Sequence, residues 1–240
     1  MKYLINFFDE KFYPEYSDNW DDLLFRKSIL DHLESDHVLL DIGADAGIIE
    51  AMNFKGLVEK VVGLDPDPRV IENLNLDEGY IGFGEYLPFE DNMFDIVFMD
   101  NVAEHLVNPR QVFTEIFRVT KPGGVLLFKT PNRFHYMPLI AMLTPVVFHR
   151  YFNKLRGRQA EDTFPTQYKA NSKGQVNKLA KIVGFKNPRF TFVEGRPEYL
   201  RMSAILYSLG LIYERIINIH EIFERFRVLM ICELVKPNNK

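Results

Sequence analysis

Only one cysteine, Cys232, occurs in this chain of 240 residues, so no disulfide framework can form within it. Its place in an apolar run near the C-terminus suits a small buried hydrophobe better than a nucleophile. A basic surplus is also missing. Against 29 Lys and Arg stand 33 Asp and Glu, a formal net charge of −4, whereas a general nucleic-acid surface would be basic. The run from Tyr136 to Phe148 is apolar but interrupted by Pro138 and Pro145, too short and too broken to span a bilayer. At the N-terminus, Asp9, Glu10 and Lys11 cut short the apolar part of Met1–Phe8, so no signal peptide is read and the expected compartment is the cytoplasm. The dinucleotide fingerprint G-x-G-x-x-G and the P-loop are both absent. No internal repeat, low-complexity tract or metal-ligand set is read.

What is present is a hydrophobic content of 47%, enough for a sizeable core, and one informative segment. Val38-Leu39-Leu40-Asp41-Ile42-Gly43-Ala44-Asp45-Ala46-Gly47 runs from apolar residues through an acid into a Gly-bounded loop. That is how an α/β domain builds a ligand cradle at the carboxyl end of its first strand. A second apolar run ends in Asp65, twenty-four residues after Asp41, where an acid can accept hydrogen bonds from two ribose hydroxyls. Asp45 would face a pyrophosphate with like charge, at a cost of about 1–4 kcal/mol at 4 Å. Two acids and no lysine suit a cationic ligand, and S-adenosylmethionine, with an ammonium, a sulfonium, a ribose and an adenine, fits that requirement.

Periodicity and turn residues predict a helix from Trp20 to about Leu33, strand one at His37–Asp41, and a helix to about Phe54. Strand two follows at Lys60–Leu64, and Asp65-Pro66-Asp67-Pro68 caps a further helix. Strands three and four are expected at Tyr80–Phe83 and Phe94–Met99, then a helix at Pro109–Val119. Lys121-Pro122-Gly123-Gly124 is a tight turn before strand five at Val125–Lys129. After a break come a helix capped by Asn171 or Ser172 and stopped by Gly184, strand six at Arg189–Val193, and an apolar, mostly helical stretch from Glu198 to about Phe226. The last strand is Val228–Val235. Residues 1–19 show no clear period. Alternating strands and helices define an α/β class: a doubly wound, mostly parallel seven-stranded sheet, with an inserted lid after strand five. The expected division is an N-terminal helical cap (1–36), a cofactor-binding core (37–133), an inserted acceptor segment (134–170) and a C-terminal half of the sheet (171–240).

The texts VLLDIGADAG, VVGLDPDP, GEYLPFEDNMFDIVFMDNVAEHL and EIFRVTKPGGVLLFKTPN, spanning about Val38 to Asn132, resemble the class I S-adenosylmethionine-dependent methyltransferases of the type 11 group. The resemblance implies a Rossmann-like methyltransferase fold. The cofactor set expected on the rim is Asp41, Gly43, Ala44, Gly47, Asp65, Pro66, Gly84, Glu85, Asp100 and Asn101. Two departures stand out: the family usually has Gly in place of Asp45, and often Asp where this chain has Phe83. Gly84 and Glu85 would then contact the adenine, or Phe83 would pack on its ring.

Catalysis by in-line displacement needs alignment above all, and a hydroxyl acceptor also needs a base. His105, in Ala103-Glu104-His105, and His135 are the base candidates; the bland alternative is packing or a hydrogen bond at a helix start for His105 and an ordinary surface histidine for His135. His149, Arg150, Lys154, Arg156 and Arg158 follow the apolar segment, a pairing that suits an anionic acceptor or a peripheral membrane contact through 134–158. The segments around Glu161–Asn171 and Glu194–Leu200 resemble bacterial methyltransferases that accompany surface-polysaccharide enzymes. The reading is O-methylation of a saccharide or lipid-linked acceptor, without nucleic acid and with the oligomeric state open. The alternatives are a cofactor-binding protein without catalytic activity and a methyltransferase acting on a small aromatic, quinone-like or other small molecule. Leu200, Ile205, Leu209, Ile212, Tyr213 and Ile216 form an apolar stripe whose commonest fate is core packing.

Overall fold

The computed structural model describes residues 2–16, 18–143 and 165–238. Its strands are β1 (Val38–Ile42), β2 (Lys60–Asp65), β3 (Glu78–Ile81), β4 (Phe94–Asp100), β5 (Thr120–Pro131), β6 (Lys186–Val193) and β7 (Leu229–Val235). They form one sheet in the order β3-β2-β1-β4-β5-β7-β6, and the β1–β2, β1–β4, β2–β3 and β4–β5 pairs are parallel. The α-helices are α1 (Lys2–Phe12), α2 (Trp20–Leu30), α3 (Pro109–Val119), α4 (Tyr136–Leu143), α5 (Lys173–Val183) and α6 (Ala204–Asn218). The doubly wound α/β sheet is the one expected. Of the inserted lid, residues 144–164, including the basic cluster from His149 to Arg158, lie outside the described residues.

Two compact units divide the chain. One comprises 1–20, 131–165 and 192–230; the other comprises 21–130, 166–191 and 231–240. Strands β1 to β4 lie wholly in the second. Apart from the Asp95 and Asp100 positions facing its ends, β4 is a continuous buried run, as strands covered on both faces must be. Helix α3 begins at Asn108, whose side chain caps it ahead of Pro109, and it buries Val112, Phe113, Ile116 and Val119. Helix α5 is capped by Ser172 and stopped by Gly184 at φ 115°.

Several elements differ from the sequence reading. The helix expected to reach Phe54 is a single 3-10 turn, Glu50–Met52. The Arg26 guanidinium donates to the carbonyls of Ala51 and Asn53, both at 2.7 Å, so acceptors that a longer helix would use are engaged elsewhere. The helix after β2 is likewise a 3-10 turn, Pro68–Glu72. Asn73 and Asn75 follow it, and short polar side chains compete for backbone partners in this way. Strand β3 starts earlier than expected, and residues 1–19, which lack a clear period, contain α1. Lys121–Gly124 bulges from within β5: Phe94 pairs with Thr120 and Ile96 with Val125.

Candidate functional site

The sheet order reverses between β1 and β4, and in open α/β sheets ligands bind at the strand carboxyl ends beside that switch point. The second unit's β1–β2–β4 rim is built there. Asp41 sits in β1 opposite Gly63 and Phe98, followed by a loop with positive φ at Gly43 (87°), Asp45 (44°) and Gly47 (73°). A Cβ at Gly43 would lie 2.2 Å from Val102 Cγ2, and one at Gly47 would lie 2.1 Å from Asn73 Oδ1. Glycine at both positions is therefore demanded by backbone angle and by space. Asp tolerates the left-handed region better than most residues, and Asp45 ion-pairs with Arg69 at 3.3 Å while Arg69 also holds Asp67 at 2.7 Å. No α-helix starts at this loop, only the 3-10 turn Glu50–Met52 beyond it.

Two asparagines that the sequence reading passed over hold this loop. The buried Asn73 donates through Nδ2 to the carbonyls of Ala44 (2.9 Å) and Asp45 (3.2 Å), and its Oδ1 accepts from the Asn75 N–H. Asn75 Nδ2 donates to the Gly47 carbonyl at 3.1 Å. The available signal was the Asn-x-Asn pattern after a short acidic-ended turn, a residue type that bonds local backbone. The Gly43 and Ala44 N–H groups both donate to the Leu64 carbonyl.

Asp65 ends β2, and both of its carboxylate oxygens are in use. Oδ2 accepts from the Asp45 N–H at 3.0 Å and Oδ1 from the Asp67 N–H at 2.7 Å. The turn-capping role is real, and each oxygen retains acceptor capacity for a hydroxyl. Pro66 beside it is exposed. Burial raises the Asp65 pKa, against the two backbone hydrogen bonds that lower it.

Asp41 is pushed well above the usual carboxylate range by burial, then by the charges of Asp100 and Asp65. Asp100 ends β4 and is pushed up to about 6 by burial, opposed by Lys129. Its Oδ1 accepts from Asn101 Nδ2 at 2.9 Å and faces Lys129 Nζ at 3.0 Å; its Oδ2 is buried without a hydrogen-bond partner. Lys129, fully buried in β5, is shared among Asp100, Asp21 and Asp22. Burial disfavours its charge, but the three acids outweigh that and raise its pKa. A lysine inside the apolar run Val125–Phe128 and Thr130 was the sequence signal for a buried charge that must be paired. One lysine serving three acids leaves Asp41 and Asp65 uncompensated. A donor set of this kind fits a cation and opposes a polyphosphate.

Gly84 packs 3.2 Å, measured from an added Cβ, against Val112. The Glu85 carbonyl accepts from Gln111 Nε2. Phe83 stays 65% exposed, so the core does not claim its ring. Glu104 is buried and accepts from the Thr130 hydroxyl at 2.8 Å, which in turn accepts from Asn171 Nδ2 at 2.6 Å. Burial pushes its carboxyl up to about 7, against hydrogen bonds from its own N–H and Thr130 and the charge of Lys129. His105 lies next to it, half-buried, its N–H bonded to the Val102 carbonyl. His135 belongs to the other unit. There it is buried with Nε2 3.7 Å from Glu194 Oε1, while the Met137 N–H donates to its Nδ1 at 3.4 Å. The rings of Tyr136 and Tyr213 pack around it.

Residues 40–128 match the family Methyltransf_11, described as a methyltransferase domain. An uncharacterized methyltransferase of Mycobacterium leprae (strain Br4923) is 38% identical over 96 residues, covering 38% of this chain and 35% of that protein. The match thus spans about a third of that relative's length. Among solved structures, the [4+2]-cyclase SpnF aligns with a TM-score of 0.61 at 16% identity, covering 94% of this chain and 84% of that one. A Haemonchus contortus phosphoethanolamine N-methyltransferase 2, solved in complex with S-adenosyl-L-methionine, aligns with a TM-score of 0.58 at 18% identity, covering 98% and 60%. The fold is the Rossmann-like methyltransferase fold, and within it residues 40–128 are the stretch that matches the methyltransferase-domain model.

Proposed function

We propose that the chain is an S-adenosylmethionine-dependent methyltransferase. One observation carries this reading: the switch-point rim gathers Asp41, Asp65 and Asp100, and the single buried cation beside them, Lys129, is already shared among three acids. When bound, S-adenosylmethionine supplies an electrophilic methyl group on a sulfonium. The roles proposed for this chain follow from chemistry. Asp41 and the unpartnered Oδ2 of Asp100 would hold positive charge, and Asp65 would accept the ribose hydroxyls. Gly43, Ala44 and Gly47 would line the amino-acid end, and Asn101 would keep Asp100 oriented. Pro66, Gly84 and Glu85 would edge the adenine, with the exposed Phe83 ring packing on it in place of the family's acid.

A hydroxyl acceptor would have to give up its proton to a base on this chain as it takes the methyl group. Proposed bases are His105 and His135; Glu104 is a third, since a carboxyl raised toward neutrality by burial can accept and release a proton near pH 7. The acceptor we favour is a saccharide or lipid-linked saccharide met by residues 134–170, with peripheral membrane contact through 134–158. The functional division proposed with it is 1–36 cap, 37–133 core, 134–170 acceptor segment and 171–240 remainder of the sheet. The support is the apolar-then-basic order of that segment in the sequence. Among the described residues, no helix is long and apolar enough to cross a membrane.

Calorimetry with S-adenosylmethionine, S-adenosylhomocysteine and NAD tests the cofactor, and the first two are expected to bind. Mass spectrometry of extracts incubated with isotopically labelled S-adenosylmethionine then identifies the acceptor as the product that gains a labelled methyl group. Asp45 and Phe83 favour a second reading, a cofactor-binding protein without methyl transfer, and one fold does host unrelated activities. Tight S-adenosylhomocysteine binding with no labelled product from any extract would select it.

A further inference from the structure

Lys129 is drawn toward one side of its cage. Its side chain is fully buried in β5, and three carboxylates surround the ammonium. Two of them, Asp21 and Asp22, open helix α2, more than a hundred residues away in sequence. They accept its hydrogen bonds, Asp21 through Oδ2 at 3.0 Å and Asp22 through Oδ1. The third, Asp100, meets it as an ion pair at 3.0 Å on Oδ1, an oxygen that already accepts from Asn101 Nδ2. The other Asp100 oxygen is buried without a hydrogen-bond partner. One positive charge is thus divided among three negative ones, and the two directed bonds give α2 the larger share.

Two acids in the first turn of a helix need no lysine, because the helix dipole alone favours them there. Their convergence on one buried ammonium is what asks for a further reason, since a single carboxylate would neutralise it. Helix α2 is also fixed in place. Phe25, one turn on, is fully buried with its ring 6.5 Å from that of Phe98 in β4 and 5.9 Å from Lys129 Nζ. Arg26 donates to the carbonyls of Ala51 and Asn53. The ammonium is therefore kept dry, and charges around it act with little screening. The charged groups that act on Asp100 are Lys129 from β5, Asp21 and Asp22 from α2, and Asp41 from β1. Lys129 also acts on Glu104, beyond β4. We propose that Asp21 and Asp22 are positioning residues of the cofactor site: they hold the Lys129 ammonium to α2 and so leave Asp100 with negative charge for a cationic ligand. On the S-adenosylmethionine reading, on which this rests, the sulfonium meets a carboxylate that its own lysine has not neutralised.

The test removes charge and keeps shape. Asp21→Asn combined with Asp22→Asn retains an acceptor oxygen for Lys129 at each position. Two negative neighbours fewer must lower the Asp100 carboxyl. In the free chain, carbon-13 NMR titration of that carboxyl, assigned by its loss in Asp100→Asn, should move down from about 6 by about one pH unit. In calorimetry at neutral pH, S-adenosylmethionine affinity should fall severalfold while S-adenosylhomocysteine affinity changes less. The pH dependence of S-adenosylmethionine binding should shift together with the carboxyl. Should the double variant fail to fold, Asp21→Asn alone, at the more exposed of the two acids, should give a smaller shift of the same sign. An Asp100 titration that stays in place in a folded variant overturns the proposal. Equal losses for the two ligands with an unmoved pH dependence also overturn it, and return both acids to a helix-stabilising role. Binding of neither ligand by the parent chain overturns the S-adenosylmethionine reading itself, and the role of the two acids with it.

Discussion

The rim at the ends of β1, β2 and β4 and the outward face of α6 depart from ordinary burial in opposite senses. The rim buries acids: Asp41 and the side chain of Asp100 are nearly inaccessible, and one lysine serves too many carboxylates. The α6 face exposes hydrocarbon while turning a glutamate inward. Each arrangement costs free energy in the unliganded chain, the first through desolvated charge and the second through hydrated aliphatic surface. Helix α3 shows that this chain can place residues conventionally, since its Val112, Phe113, Ile116 and Val119 are all buried. Departures of this kind are expected where something else binds, because a partner of the right chemistry removes the cost. The two regions would be relieved by different chemistry, a cation at the rim and apolar surface at α6.

The largest expected effect is at Asp65. Asp65→Ala should weaken S-adenosylmethionine binding by about 1.5–3 kcal/mol, the worth of hydrogen bonds to a charged group. It should also lower the melting point, because the Asp45 and Asp67 N–H groups lose their acceptor. Isothermal titration and thermal melts separate the two losses; unchanged affinity in a folded variant removes the ribose assignment.

A second effect sharpens the charge side of the comparison through pH. Asp100 and Asp41 are raised in the free protein, Asp100 to about 6, from roughly 4 unfolded. Raised carboxyls favour the fold when protonated, so their contribution to stability is present below about 4 and lost as pH rises through about 6. A cationic ligand favours the ionised forms, so its binding releases protons and strengthens as pH rises toward and through about 6. Below that value the affinity for S-adenosylmethionine should fall by up to about tenfold per pH unit for each linked proton. S-adenosylhomocysteine, lacking the sulfonium charge, should respond less. Equal pH slopes for the two ligands would mean that the carboxylates do not answer the sulfonium.

Asn73→Ala is expected to cost about 1–2 kcal/mol in stability, since it frees the carbonyls of Ala44 and Asp45. It should loosen the loop, raise the Kd for S-adenosylhomocysteine and leave the Asp100 titration in place. A variant with normal stability and affinity would show that Asn75 alone suffices.

The smallest effect belongs to Asp45. Asp45→Gly removes an ion pair with Arg69 between partly exposed groups, worth about 0–1 kcal/mol, and relieves a left-handed backbone that Gly adopts freely. Stability should change by only a few tenths of a kcal/mol, with cofactor affinity equal or better. A large loss in calorimetry would place the Asp45 carboxylate on the ligand.

Much of this could be foreseen from local pattern. The apolar strands β1, β2 and β4, helix α3 with Asn108 and Pro109 at its start, helix α5 between Ser172 and Gly184, and the acid after each rim strand all follow from period, caps and turn residues. These are short-range properties, decided within one or two turns of chain. Of the two helices that shrank to 3-10 turns, the first was decided at a distance: Arg26, from α2, takes the carbonyls of Ala51 and Asn53. Lys129 meets Asp21 and Asp22 from more than a hundred positions away, so its charge balance had no local signature. The stripe on α6 was visible as a period, but a period names a face without saying which way it points. Its direction came from Tyr207 and Glu214, whose partners Asp9 and Tyr13 are some two hundred residues distant in sequence. Hydrogen bonds to buried charge, being directional and costly to break, outweighed the aliphatic stripe that by itself would have turned inward.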